Sequence, residues 1–508
     1  MSDLPSFYTQ AGNFRNNVEG SVDPRTGMFN VSIKLGEIVG KNNLGPTLPI
    51  ALNYSPLATL NGPTTTVFGQ GVSLCLTQYD MSQTPCRLSL STGEQYIVDD
   101  GALKILQNKL DHVRISKDSN EDYVITYRSG IVETLYGSND SSYRYALKMP
   151  KRLVDQMGHG LTFNWDTDQL IPALSSIVDD NNMTLLSIDY SPSEGPLFTF
   201  YPGQPEHYSV QLGLDSGNLQ TITNQSLGAS NPLIWTLSYD QIGNTGNWGS
   251  WVTGVATPGQ RENAPTESVQ YADDGTGAGF PDSSTPVLPQ VSTYTRNPGC
   301  NQPPLVSGYT YDIGGSFLGA GTDGGTDSSS DALYGVFDDY VYGSTETKTC
   351  GGVSIVTSRT YNRYHLLTDE IVTRNGYVRS VHTDYENLQK GIDFDSQASN
   401  CQCPTKKSTT WKVSGKQQYQ VVVTAYDQWG NLTESTQYSD AKCANQCKPK
   451  ISWKFYVGDG SAPEQGSCPK DPLGFQGRFV KSVTTTPITT SYLDTLPLTT
   501  VYTYADIS

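Results

Sequence analysis

The sequence predicts an all-β protein of consecutive antiparallel β-hairpins, with an N-terminal β-domain leading into a long sheet. Three observations carry that reading. Charged residues fill only 16% of the 508 positions, against about 25% in ordinary soluble domains. Glycine (49) and tyrosine (31) help fill the gap; tyrosine suits a pleated, half-buried surface, and glycine supplies tight turns. Apolar residues alternate over short stretches instead of recurring at helical spacing, and turn dipeptides punctuate the stretches.

The elements follow in order. Phe29, Val31, Ile33 and Leu35 alternate with polar residues, while Tyr123–Tyr127 and the Val-rich Tyr419–Ala425 are short apolar runs. Period two over five to eight residues, bounded by Gly, Asn or Asp, is the pattern of a strand ending in a turn. Asn-Gly at 61–62 and 375–376, Ser-Gly at 129–130 and Asp-Gly at 100–101 mark turns between such strands. The chain divides into an N-terminal β-domain (1–100), an irregular antiparallel region (101–300) and a repetitive β-region (301–508).

The balance of 33 Lys+Arg against 50 Asp+Glu leaves a net charge of −17. Such a surface repels phosphate backbones and anionic lipid, and no basic run offsets it, so nucleic acid is not an expected partner. The opening MSDLPSFYTQAGNF has neither the basic start nor the apolar stretch of a Sec signal. No apolar run is long enough for a spanning helix. The expectation is a protein made in the cytoplasm and carried to the cell surface or outside by a non-Sec route.

An internal repeat sharpens the picture. Tyr426-Asp427-Gln428-Trp429-Gly430-Asn431-Leu432-Thr433 aligns with Tyr361-Asn362-Arg363-Tyr364-His365-Leu366-Leu367-Thr368, with Tyr311-Asp312, with Tyr239-Asp240 and, more loosely, with Val154-Asp155. The mechanical reading is a hairpin. The tyrosine ends one strand and packs inward, the Asp or Asn side chain bonds back to nearby amides, and Gly430 takes a positive φ before the next strand. His365 holds the glycine position of its copy, which marks a turn and not a base. A hairpin of this kind cannot bury its face alone and must stack on neighbours.

The motif at 426–433 resembles the YD repeat of bacterial Rhs proteins, teneurins and the B and C subunits of insecticidal toxin complexes. Gly20–Phe29 with Leu48–Tyr54 is similar to the N-terminal region of Rhs-type proteins. The resemblance implies a β-sheet that curls into a shell around a toxic cargo, with a companion Rhs or toxin-complex subunit as partner. Tyr361, Tyr426, Asp427 and Gly430 are then structural turn residues. Asp471-Pro472-Leu473-Gly474 looks like the segment that closes the Rhs core, where that family cuts itself; read on its own chemistry it is a Pro/Gly turn.

Other candidate sites stand beside plainer readings. Cys401 and Cys403, with Cys443 and Cys447, offer four thiolates for a tetrahedral Zn²⁺; two disulfides or free buried thiols are the alternatives. The loop with Asp323, Asp327 and Asp331 offers oxygen ligands for a cation such as Ca²⁺, or is simply a solvated Gly/Ser loop. Trp235, Trp248 and Trp251 form either a sugar-stacking platform or sheet core. No nucleophile elbow, zinc-protease, P-loop or dinucleotide motif occurs, and the five histidines are scattered. The expectation is a non-enzymatic shell component, with a carbohydrate- or receptor-binding surface protein as the rival. A glycosidase comes third, since spacing in sequence cannot locate a carboxylate pair.

Overall fold

The computed structural model describes residues 21–505, apart from 60–64, 169–170, 229, 243–247, 259–264, 273–276, 282–285, 300, 313–314, 321, 323–330, 351, 440–448, 462–465 and 488–495. Among the described residues the regular structure is strand, with four short 3₁₀ turns and no α-helix. Its dominant feature is one antiparallel sheet of 25 strands from Val113–Lys117 to Leu498–Val501, each strand paired with the next one in the sheet. Val291–Arg296 pairs with Leu305–Tyr311 in this same ladder.

The expected strands are present. Phe29–Leu35 lies inside Phe29–Val39, Tyr123–Tyr127 is a strand in full, and Tyr419–Ala425 lies inside Lys416–Tyr426. Ser414-Gly415 and Asn375-Gly376 each carry two positive φ values and join strands with partners Val413↔Lys416 and Arg374↔Tyr377. Two left-handed residues in a two-residue loop match the right-handed twist of the flanking strands.

Two smaller sheets cover the long one. Ser21–Val22, Phe29–Val39, Thr47–Tyr54 and Val72–Leu74 form the first. Its apolar side chains (Phe29, Ile38, Leu52, Tyr54) share one core with Phe163, Ile177, Phe198, Leu212 and Val252 of the long sheet. Polar bonds fix that docking: Val39 N donates to Tyr201 Oη at 3.0 Å, Val252 N to Tyr54 Oη at 2.9 Å, and Val291 N to Gly27 O at 2.9 Å. The second, built from Gln78–Asp80, Cys86–Ser89, Gln95–Asp99, Lys104–Ile105 and Leu147–Lys148, packs Tyr79, Leu88 and Val98 against Val113, Tyr123, Ile125 and Leu135. The long sheet starts beneath this second layer.

Candidate functional site

The repeat turn is built as its residues predict. Asp427 Oδ1 accepts from Trp429 N and Asn431 N, both at 2.9 Å, and Gly430 N donates to Asp427 O. Gly430 has φ +78°. The ladder resumes at Tyr426↔Leu432 across a bulge. The same closure recurs at Asp155, whose Oδ1 takes Met157 N and His159 N beside Gly158 at φ +81°, and at Asn362, whose Oδ1 takes Tyr364 N and Leu366 N. Tyr361 is buried and stacks on Tyr342, and burial lifts its phenol to about 12; Tyr426 is only half-buried.

Two further copies were not apparent in the sequence. Asp118 caps Asn120 N and Asp122 N with Glu121 at φ +64°, and Asp179 caps Asn181 N and Met183 N with Asn182 at φ +58°. Neither has glycine at the fourth position, so the one shared signal is an aspartate three residues before the left-handed one. Two expected copies do not follow the pattern. Tyr239 and Asp240 are mid-ladder, opposite Val252 and Trp251, and residues 243–247 lie outside the described set. Tyr311 ends its strand, but the next strand of the sheet begins only at Val341, and Asp312 N bonds to Gly343 O. Sheet pairing over a long excursion overrides the local motif there.

The turn at 427–431 sits on a seam that joins the start of the long sheet to a segment near its end. Arg128 Nη2 donates to Gln476 O at 2.7 Å and to Asn431 Oδ1 at 3.4 Å. Arg114 Nη1 reaches Leu473 O and Gly474 O, and its guanidinium lies 4.0 Å from the Phe475 ring centroid. Arg478 Nη2 returns to Ser129 O at 2.9 Å, and Asn431 Nδ2 donates to Gly477 O at 2.8 Å. Lys109 Nζ adds bonds to Asp395 O and Gln397 O. Carbonyls that no strand pairs are thereby satisfied by cationic donors, which are stronger than neutral ones.

Asp471-Pro472-Leu473-Gly474 forms a turn inside this strap. Asp471 Oδ1 accepts from Leu473 N, Gly474 N donates to Asp471 O, and the buried carboxylate pairs with Arg478 at 3.2 Å.

His365 has a role the sequence did not announce. Its φ is +60°, as a turn position requires, yet its ring is fully buried. Tyr342 Oη lies 2.8 Å from Nδ1 and Asp331 Oδ2 lies 2.9 Å from Nε2. Burial holds the Tyr342 phenol well above its ordinary value. Asp331, the last acid of the predicted cation loop, thus serves His365 and also caps Leu333 N; Asp323 and Asp327 lie outside the described residues.

Cys401 and Cys403 are buried and in no disulfide, Cys401 against Tyr334, Tyr364 and Phe394. Burial pushes the Cys401 thiol up to about 11 and raises that of Cys403. Cys443 and Cys447 lie outside the described residues, and among the described residues no three His, Cys, Asp or Glu side chains gather as a metal site.

The tryptophans do not form an open platform. Trp251 and Trp248 are 0% and 5% exposed in a core with Met28, Phe317 and Leu333. Trp235, on the strand paired with that of Trp251, is half-buried against the core shared with the first small sheet. Strand pairing turns these rings inward, which is the core reading.

No protein-family model and no curated protein matches the sequence. Among solved structures, the chain is similar to the crystal structure of TcdB2-TccC3, at 10% identity and a TM-score of 0.35, over 90% of this chain and 23% of that one. A second is TcdB2-TccC3 without its hypervariable C-terminal region, at 10% identity and a TM-score of 0.34, over 94% of this chain and 25% of that one. The chain therefore spans about a quarter of the length of the chains it matches.

Proposed function

We propose that this chain is a non-enzymatic wall segment of a β-shell in a toxin-delivery assembly of the Rhs/YD-repeat kind, forming or sealing the compartment around a toxic cargo. The observation that carries the reading is the seam. A sheet of 25 strands whose first strands are tied by Arg114, Arg128 and Arg478 to residues 473–478 supports a wall that curls back on itself. Every strand pairs antiparallel with the next one in the sheet, many through short hairpins, a construction that lengthens a wall without changing its cross-section.

The edges differ in a way that fits a companion subunit. Val113–Lys117 is tucked under the second small sheet, whereas Leu498–Val501 is exposed throughout, Leu498 at 73% and Val501 at 65%. An exposed apolar edge strand is a template for another chain's strand. In this reading the protein reaches the surface or exterior by a non-Sec route.

The test is co-expression with the chains encoded beside it, followed by size-exclusion chromatography and protease treatment. A defined complex is expected in which cargo is digested only after the wall is unfolded. Leu498→Asp with Val501→Asp should abolish the complex while leaving the chain's own melting unchanged. Cargo digested at the same rate with and without this chain would overturn the proposal.

A further inference from the structure

Beyond the wall itself, we propose that a cleft beside the Asp427 turn binds an anionic saccharide, a uronic-acid pyranose stacked on Trp429 and Trp453 with its carboxylate held by Lys454 and Lys481. The cleft follows from strand register. Leu432–Tyr438 pairs with Lys450–Phe455 only from Glu434↔Ser452 to Thr436↔Lys450. Past Glu434 the ladder stops, so Thr433 and Trp453 diverge. A bulge at Lys454/Phe455, against Val480–Thr486, re-aims the side chains at the mouth of that gap. The result is a cavity of about 340 Å³ lined by Trp429, Trp453, Tyr456, Lys454, Lys481 and Asp427, a volume within the range of small-ligand sites, about 300–1,000 Å³.

Its chemistry is specific. Trp429 and Trp453 are half-buried, unlike the inward-facing Trp248 and Trp251, so part of each indole borders the cavity. Gly477 seats Trp429 closely: a Cβ there would lie 2.9 Å from Cε3. A seated ring loses little freedom when a flat apolar sugar face is laid on it. Lys481 Nζ sits 5.3 Å from the Tyr456 ring centroid, and neither it nor Lys454 belongs to an ion pair among the described residues.

Both carboxylate oxygens of Asp427 are already engaged by the turn. Its Oδ1 takes two backbone amides and its Oδ2 takes Asn431 Nδ2 at 2.8 Å. Two ammonium groups outside any ion pair among the described residues, beside two indoles, favour an anionic sugar over a neutral one, a local cationic spot on a chain whose net charge of −17 otherwise repels anions.

The test uses the whole chain, with trigalacturonic acid as probe and maltotriose as the neutral control at matched ionic strength. Intrinsic tryptophan fluorescence and saturation-transfer NMR are the readouts. Trigalacturonic acid should bind saturably, and Lys481→Met and Trp453→Phe should each weaken it about tenfold, the size expected for one charge-assisted bond or one stacked ring. Circular dichroism and melting of both variants should match the parent, since Lys481→Met keeps the stem and Trp453→Phe keeps a ring. No saturable response below about 20 mM, equal affinity for maltotriose, or undiminished binding in both variants would each overturn the proposal.

Discussion

His365 Nε2 lies 2.9 Å from Asp331 Oδ2 although the residues are 34 positions apart, and their side chains are 0% and 1% exposed. Two forces oppose each other at this position. A left-handed φ favours glycine there, by about 1 kcal/mol. The imidazole bridges Asp331 and Tyr342, and an orphaned buried polar group costs about 1–3 kcal/mol. The second effect is larger because two partners are left behind. His365→Gly should therefore lower stability by about 2–4 kcal/mol in urea titration despite relaxing the backbone. A variant as stable as the parent would show the bridge contributes nothing.

Gly430 and Gly158 occupy the same place in the same turn, at φ +78° and +81°, but only Gly430 is crowded: a Cβ would lie 2.7 Å from Leu110 Cδ2, whereas Gly158 has open space. Gly158→Val isolates backbone strain and should cost about 1–3 kcal/mol. Gly430→Val should cost that plus about 1–3 kcal/mol more, from displacing Leu110 at the seam. Equal drops in melting temperature would disprove the seam contact.

Arg128 tests the seam directly. Arg128→Met keeps the aliphatic stem and removes the donor to Gln476 O. A loss of about 1–3 kcal/mol is expected, with faster proteolysis between residues 471 and 478. A cleavage map identical to the parent's would mean the strap is held by something else.

Glu133 gives a pH signature. Burial raises its carboxyl above the ordinary value, although Tyr127 Oη donates to it at 3.1 Å. The folded state therefore binds this proton more tightly than the unfolded chain. Its contribution to stability is full below the unfolded value of about 4.3 and is lost as pH rises through the folded one. Glu133→Gln removes that dependence. Relative to the parent, the variant should be more stable at pH 7 than at pH 4, as paired denaturant titrations would show; an equal difference at both pH values would refute it.

Local chemistry made the turns legible. Asp427, Asn362 and Asp155 each close a loop from within five residues, so the sequence alone implied both the cap and the left-handed position that follows. Glu121 and Asn182 escaped because no glycine flags a left-handed residue there. Tyr311-Asp312 misled because a motif proposes a turn, while long-range pairing decides whether the chain takes it.

Alternation along the strands, the low charged fraction with abundant glycine and tyrosine, and the absence of helical periodicity determined the all-β class and the hairpin construction. These are properties of neighbouring residues. Tertiary structure alone decided which faces of Trp248 and Trp251 are covered, that Asp331 meets His365, and that Arg128 meets Gln476. It also decided that Trp429 and Trp453 share a cleft. Those contacts depend on how strand register and sheet curvature accumulate over hundreds of residues, and no short window of sequence encodes that sum.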